Sequence, residues 1–249
     1  MFKILLASNN LHKLNEISCF FDNKIKFILP SELGIFDLKE ENGFNFLENA
    51  RLKVKQFSEK IDYPVLGDDS GLVVVPLSDF ISYFKKGEIN SNDKSFFYDF
   101  TNFNQDLLKK FWEDYLYKID LFPGVVSKRF GYIDDERVRN QYLIAILKKI
   151  NSKINLINER ESYENIKWQA YFETALALRY NGKIYDFSGK VEGYIIDKPT
   201  GENGFGYDPI FFYPPLNKTF AQLSLEEKNK VSHRSKALFN LKKMIENQI

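Results

Sequence analysis

The pattern of apolar and polar positions changes period several times along the chain. Phe2 to Ala7 is a short apolar run that stops at Ser8, Asn9 and Asn10, and it predicts a buried first strand. From Lys13 to Phe21, the positions Leu14, Ile17, Ser18 and Phe21 recur at helical spacing, so a strand, a polar connection and a helix follow one another. Phe46, Ala50, Val54 and Phe57 line one stripe of a second helix over Asn45 to Lys60, and Pro64 to Leu66 begins the next strand. Further on, the pattern predicts a helix over Asp135 to Ile150 and two antiparallel strands over Trp168 to Tyr180 and Lys183 to Tyr194. A strand near Ile210 to Tyr213 and a last helix over His233 to Glu246 complete the series. Strands that alternate with helices point to a mixed α/β sheet rather than a bundle or barrel.

Leu77 to Phe122 breaks this pattern, being rich in Phe, Tyr, Asn, Lys and Asp and nearly lacking Ala, Val and Gly. It reads as an insertion, 77–122, within a single domain spanning 1–249. The same bias recurs at Lys148 to Lys167, so codon bias explains it more economically than selection for binding. Phe96, Phe97, Phe100, Phe103, Phe111, Trp112 and Tyr115 suit base stacking, but their mixed charge surroundings favour a small helical packing layer.

Composition narrows the function classes. With 35 Lys and Arg against 34 Asp and Glu, the net charge of +1 makes no broad field to draw the chain onto nucleic acid or an anionic membrane. A phosphate ligand must therefore be held locally. Cys19 is the only cysteine, which excludes an intrachain disulfide and a multi-cysteine zinc site and fits a reducing, cytoplasmic setting. No apolar stretch approaches the roughly 18 residues that span a bilayer, so no membrane association is expected.

Four segments carry candidate chemistry. Ser8-Asn9-Asn10-Leu11-His12-Lys13, between strand and helix, combines small polar side chains, backbone N–H groups and a lysine, which suits phosphate oxygens; an N-cap and surface turn is the alternative. No G-x-x-x-x-G-K-[ST] sequence occurs, which disfavours a Walker-type NTPase. Gly67-Asp68-Asp69-Ser70-Gly71-Leu72 is expected just after a short strand, where paired carboxylates repel unless a metal cation or a lysine neutralises them. Magnesium fits, since it takes one or two carboxylates and completes its shell with water and phosphates. Glu40 and Glu41, followed by the helix carrying Glu48 and Lys53, form a second acidic cluster; solvated turns are the alternative for both. Thr200 to Pro209 is glycine-rich, and in it Phe205 is placed to stack on a base and Asp208 to accept from a ring N–H, unless the segment is a plain hairpin loop. Lys228, His233 and Arg234 in Glu226 to Arg234 present donors that suit a purine with a keto oxygen at C6 and oppose adenine, with a helix cap or a surface ion pair as the alternative.

The order of these segments resembles a known family. Ala7-Ser8-x-Asn10-x-x-Lys13-x-x-Glu16, Glu41-x-Gly43-x-x-Phe46-x-Glu48-Asn49-Ala50, Asp68-Asp69-Ser70-Gly71-Leu72, Pro123-Gly124-Val125-x-Ser127-x-Arg129, Gly204-Phe205-Gly206-Tyr207-Asp208-Pro209-Ile210-Phe211 and Glu227-Lys228-Asn229-x-x-Ser232-His233-Arg234 follow one another as in the inosine triphosphate pyrophosphatase family. Leu77 to Phe122 is the exception to the resemblance, and the Asn151 to Asn165 linker is only loosely similar. The resemblance implies an α/β fold with an elongated mixed β-sheet flanked by helices, two lobes with a central cleft, and a homodimer. It implies Mg²⁺-assisted hydrolysis of ITP, dITP and XTP to the monophosphate and pyrophosphate, with no nucleic acid partner. The implied roles are triphosphate binding by Ser8, Asn10, Lys13 and Lys53, within a substrate loop that includes Asn9, Leu11 and His12, and magnesium binding by Glu41 and Asp69, with Asp68 as a further candidate. Asp69 would act on the water with Ser70 beside it, and Phe205, Gly206, Tyr207, Asp208, Lys228, His233 and Arg234 would contact the base. A Maf-like pyrophosphatase, similar in fold, and a catalytically silent binding module are the competing readings.

Overall fold

The structure, a computed structural model, describes residues 2–21, 25–35, 42–57, 61–88, 93–158 and 167–248. Glu40 and Glu41 lie outside the described residues. Among the described residues, seven strands form one mixed sheet: β1 (Phe2–Leu6), β2 (Ile25–Ile28), β3 (Val65–Val74), β4 (Trp168–Tyr180), β5 (Lys183–Ile195), β6 (Phe211–Tyr213) and β7 (Lys218–Thr219), in the order β2-β1-β3-β4-β5-β6-β7. β1 pairs in parallel with β2, Phe2 opposite Ile25, and with β3, Leu5 opposite Val65. β6 pairs antiparallel with both β5 and β7. Seven α-helices accompany them among the described residues: α1 (Leu11–Phe20), α2 (Phe46–Phe57), α3 (Val75–Lys85), α4 (Gln105–Tyr115), α5 (Glu136–Asn158), α6 (Leu225–Val231) and α7 (His233–Gln248). The mixed α/β class expected from the alternation is the one observed.

Chain contacts divide the protein into two compact units. The first comprises Met1–Gly71, Phe172–Val191 and Leu223–Ile249. Its core joins Ile4 and Leu6 of β1, Ile17 of α1, Leu66 of β3, Leu176 of β4 and Leu241 of α7, among others. Each such fully buried aliphatic side chain stabilises the fold by about 1.5–3 kcal/mol, so the amphipathic stripes of α1 and α7 are held against the strands by hydrophobic burial.

The second unit comprises Leu72–Tyr171 and Glu192–Gln222. Here the aromatic-rich segment forms a packing layer, as its mixed charge favoured. Phe97 packs on Trp112 at 4.6 Å between ring centres, Trp112 on Phe122 at 5.2 Å, and Phe130 on both Phe111 and Tyr142 at 5.3 Å. The polar ends of these rings are satisfied internally: Trp112 Nε1 donates to Tyr142 Oη at 2.6 Å, and Tyr142 Oη donates to the Phe97 carbonyl at 2.7 Å. No helix among the described residues is long and apolar enough to cross a membrane.

Several element boundaries differ from the sequence expectation. β3 does not stop at Leu66 but continues through Asp68, Asp69 and Ser70 to Val74, so the paired carboxylates lie within a strand and not in a turn after one. Their polarity hides the strand, because the partners that permit their burial come from distant segments. α5 runs eight residues past Ile150 to Asn158, since no proline or glycine interrupts it and Lys and Asn are weak brakes on a helix already formed. α1 starts at Leu11, two residues early, because Asn10 caps it. The β4 and β5 boundaries agree to within one residue. Asn181 and Gly182 join them with φ of 48° and 75°, the positive values that a two-residue hairpin turn demands.

Candidate active site

Within the first unit, β3 presents Asp68 and Asp69 as consecutive strand residues, so their side chains leave on opposite faces. Asp68 is fully buried and committed to two cations: Lys13 Nζ lies 2.5 Å from Oδ1 and Arg234 Nε 2.8 Å from Oδ2. Burial alone would raise its pKa, but Arg234 and Lys13 outweigh that and hold the carboxyl far below the usual carboxylate range. Asp68, the further candidate for magnesium from sequence, thus has each of its two oxygens paired with a cation.

Arg234, itself 1% exposed, uses its remaining nitrogens on Glu16 and on Ser70 Oγ, the latter at 2.7 Å. Glu16 also accepts from Lys228 Nζ at 2.8 Å. Burial opposes its ionisation, yet Arg234 and Lys228 prevail and lower its pKa from 4.5 to about 2. Lys13, Lys228 and Arg234 thus face Glu16 and Asp68, three cations to two carboxylates, and the group carries one net positive charge. A chain with no global field still concentrates positive charge at this point.

Local sequence explains how these residues arrive. Asn10 Oδ1 accepts from the backbone N–H groups of His12 and Lys13 at 2.9 and 3.3 Å, which starts α1 and puts Lys13 and Glu16 one turn apart on the same face. Ser8 Oγ accepts from the Asn10 N–H and Asn9 Oδ1 from the Ser31 N–H, while Leu11 is exposed. Asn10 is thus the N-cap of α1, and Lys13 is the member of the 8–13 segment whose charge faces the cluster. Ser224 and Glu227 form a reciprocal capping box that begins α6 and sets Lys228 inward. Ser232 Oγ accepts from the Ser235 N–H at 3.1 Å where α7 begins, which buries His233 and Arg234 in its first turn. His233 stacks on Phe172 at 4.9 Å with 14° between the rings. Burial and then Arg234 push its pKa well below 6.5, so the ring is neutral, and its Nδ1 has no hydrogen-bond partner among the described residues.

On the other face of β3, Asp69 meets α2. Lys53 Nζ donates to Asp69 Oδ1 at 2.9 Å and to the Asp68 carbonyl at 2.7 Å, and Asn49 Nδ2 donates to Asp69 Oδ2 at 3.1 Å. Asn49 Oδ1 accepts from the Gly43 N–H at 2.8 Å, which fixes the amide orientation. The approach of α2 to β3 depends on Gly67, where a Cβ would stand 2.1 Å from the Ala50 carbonyl oxygen. Glu16 and Asn49 are site residues that the reading of the sequence quoted in its motifs but did not assign. The available signal was spacing, three residues after Lys13 for one and four before Lys53 for the other.

Asp69 offers a single carboxylate, the ligand type magnesium takes, and its two oxygens accept here from Lys53 and Asn49. No group of three or more His, Cys, Asp and Glu side chains that would hold a metal exists among the described residues, but magnesium needs only one or two carboxylates. Glu41, the other expected ligand, lies outside the described residues.

The second unit holds the glycine-rich loop. Phe205 N–H donates to Asp208 Oδ2 at 2.9 Å, closing a tight turn in which a side chain at Gly204 would sit 2.1 Å from that oxygen. Tyr207 is buried, its hydroxyl donates to the Ser127 carbonyl at 2.8 Å, and burial pushes its phenol pKa up. Asp208 is also buried, so this is a built loop and not a loose hairpin end.

Residues 4–96 and 115–244 match the Ham1 family, and 97–114, inside the aromatic-rich segment, fall between the two matched stretches. The chain is 34% identical to the dITP/XTP pyrophosphatase of Thermoanaerobacter sp. (strain X514), over 98% of this chain and 96% of that protein. It is 36% identical to the dITP/XTP pyrophosphatase of Aquifex aeolicus (strain VF5), over 98% and 97%. A solved HAM1 protein from Coxiella burnetii superposes with a TM-score of 0.68 at 30% identity, covering 99% of this chain and all of that one. These likenesses bear out the family resemblance drawn from the six motifs, and the protein belongs to the Ham1 family.

Proposed function

We propose that this protein hydrolyses non-standard purine nucleoside triphosphates, ITP, dITP and XTP, to the monophosphate and pyrophosphate. The observation that carries the reading is the pairing of a buried, net-positive Lys13, Lys228 and Arg234 cluster with the Asp69 carboxylate on the next strand residue. Full-length similarity to dITP/XTP pyrophosphatases supports the substrate class.

Lys13 and Lys53, with Ser8 and Asn10 in the loop of Asn9, Leu11 and His12, bind the phosphates. Asp69 orients the attacking water and accepts its proton, and Ser70 beside it holds Arg234. The water oxygen bonds to the α-phosphorus, the bond to the bridging oxygen breaks, and pyrophosphate leaves with the electron pair. Asp69 and Glu41 would hold Mg²⁺, which when bound supplies positive charge to offset that on the phosphates. Catalysis is then positioning and electrostatics, with no covalent intermediate. Phe205, Gly206, Tyr207 and Asp208 form a base-recognition loop. Lys228, His233 and Arg234 favour a keto oxygen over an amino group, and a neutral His233 still offers one N–H donor. The reading further includes a cytoplasmic homodimer.

Pyrophosphate release from ITP, XTP, dITP, GTP, ATP and dTTP, with and without Mg²⁺, tests it. Turnover of the first three only with Mg²⁺, lost in a folded Asp69→Asn variant, is expected. Preference for dTTP would favour the Maf-like reading, and no release from any nucleotide would leave a binding module.

A further inference from the structure

Gly206 is held from both sides by one helix. Its N–H donates to Glu136 Oε2 at 2.7 Å, and its carbonyl accepts from Asn140 Nδ2 at 2.9 Å. Glu136 and Asn140 are four residues apart in the first turns of α5, so they share a face. The two bonds act on different peptide groups, one on each side of the Gly206 Cα, and together they set both backbone torsions at that residue. Its φ is +64°, while a Cβ built there would meet nothing within 4 Å. Glycine is thus required at 206 for its conformation and not for space.

The clamp is itself braced. Glu136 Oε1 lies 3.7 Å from Arg139, whose guanidinium donates to the carbonyls of Lys128 and Ile133 at 2.7 Å and stands 5.9 Å from the centre of the Tyr207 ring. Asn140 is buried, and its Oδ1 has no hydrogen-bond partner among the described residues. A buried acceptor left unpaired opposes stability, so an apolar residue would serve the fold better at 140. The amide is accounted for by what its other end does at Gly206.

We propose that Glu136 and Asn140 are positioning residues for nucleobase recognition, which set the direction of Phe205 relative to Tyr207 by pinning the peptides on either side of Gly206. The inference rests on the reading of Phe205 to Asp208 as the base loop. A free Gly206 would let Phe205 rotate away from Tyr207 and raise the entropy lost on binding a base, whereas the pinned loop is ready before the nucleotide arrives.

The test compares Asn140→Asp, which replaces the donor with a carboxylate facing a carbonyl, Glu136→Ala, which removes the acceptor, and Glu136→Gln, which keeps it. For Asn140→Asp and Glu136→Ala the KM for ITP should rise about tenfold with kcat held within about twofold, the size of one lost hydrogen bond. The preference for ITP over ATP should narrow with it. Inhibition by inorganic pyrophosphate should be unchanged, which a general loss of structure would not allow, and Glu136→Gln should restore KM. Asn140→Ala removes the donor without adding charge and replaces Asn140→Asp if that variant does not fold. Unchanged KM and selectivity in the folded variants, or a parallel loss of kcat and pyrophosphate inhibition, overturns the clamp. Phe205→Ala and Asp208→Asn run alongside separate the two failures. If they raise KM while the α5 variants do not, only the clamp falls; if they leave KM and selectivity untouched, the base-loop reading falls and the clamp with it.

Discussion

Arg234 Nε donates to Asp68 Oδ2 at 2.8 Å between two side chains that are almost wholly buried, joining positions 166 residues apart. Lys13 closes on the other oxygen of the same carboxylate. The ends of the chain and the middle of β3 therefore meet at one buried charge, and the stability of the first unit and the placing of its cations are one question.

Asp68→Asn removes that charge, takes the carboxylate partner from Lys13 and leaves Arg234 with Glu16, which Lys228 also holds. Breaking a buried ionic group by deleting one partner costs about 3–5 kcal/mol, because the remaining charges stay desolvated. Urea unfolding should report a loss of that size, and a loss under about 1 kcal/mol would show that water reaches the cluster.

Glu16 predicts an acid dependence of stability. Its folded pKa is lowered to about 2 from an unfolded value near 4.5, so the unfolded chain binds its proton first as pH falls. The stabilisation is fully present above the unfolded value and is lost as pH drops from there through the folded one, about 3 kcal/mol in all. Urea midpoints between pH 6 and pH 2 should fall less steeply in Glu16→Gln than in the parent, and equal slopes would refute the assignment.

Gly67→Ala puts a Cβ into the Ala50 carbonyl oxygen, a backbone atom and not the far end of a flexible side chain that could yield. Overpacking of this kind costs about 1–3 kcal/mol and must separate α2 from β3. Because α2 carries Asn49 and Lys53, turnover should fall as well as melting temperature. Calorimetry with a parallel rate assay checks both, and a variant as stable and active as the parent would exclude the close contact.

Legibility varied with how local each feature is. The β4 and β5 hairpin was readable almost to the residue, since its alternation and its Asn181-Gly182 turn are encoded within a few positions. The packing role of Phe97, Phe111 and Trp112 was also readable, as aromatic rings in mixed charge surroundings pack on one another. β3 was not, because Asp68, Asp69 and Ser70 interrupt its apolar pattern for reasons that lie in α1, α2 and α7. The partners of Asp68 were hidden for the same cause: adjacent carboxylates call for positive charge, but the order of residues does not say that Lys13 and Arg234 supply it.

Taken alone, the amino-acid sequence determined the α/β class, the family motifs and the residue types of the site, because periodicity, caps and turn chemistry act over a few neighbouring positions. The tertiary structure decided which carboxylate is pinned by Lys13 and Arg234 and which faces Lys53 and Asn49, and it recruited Glu16, Glu136 and Asn140. The reason is that an ion's partner is set by distance in space and by the loss of water around it, and neither quantity is written in the order of residues.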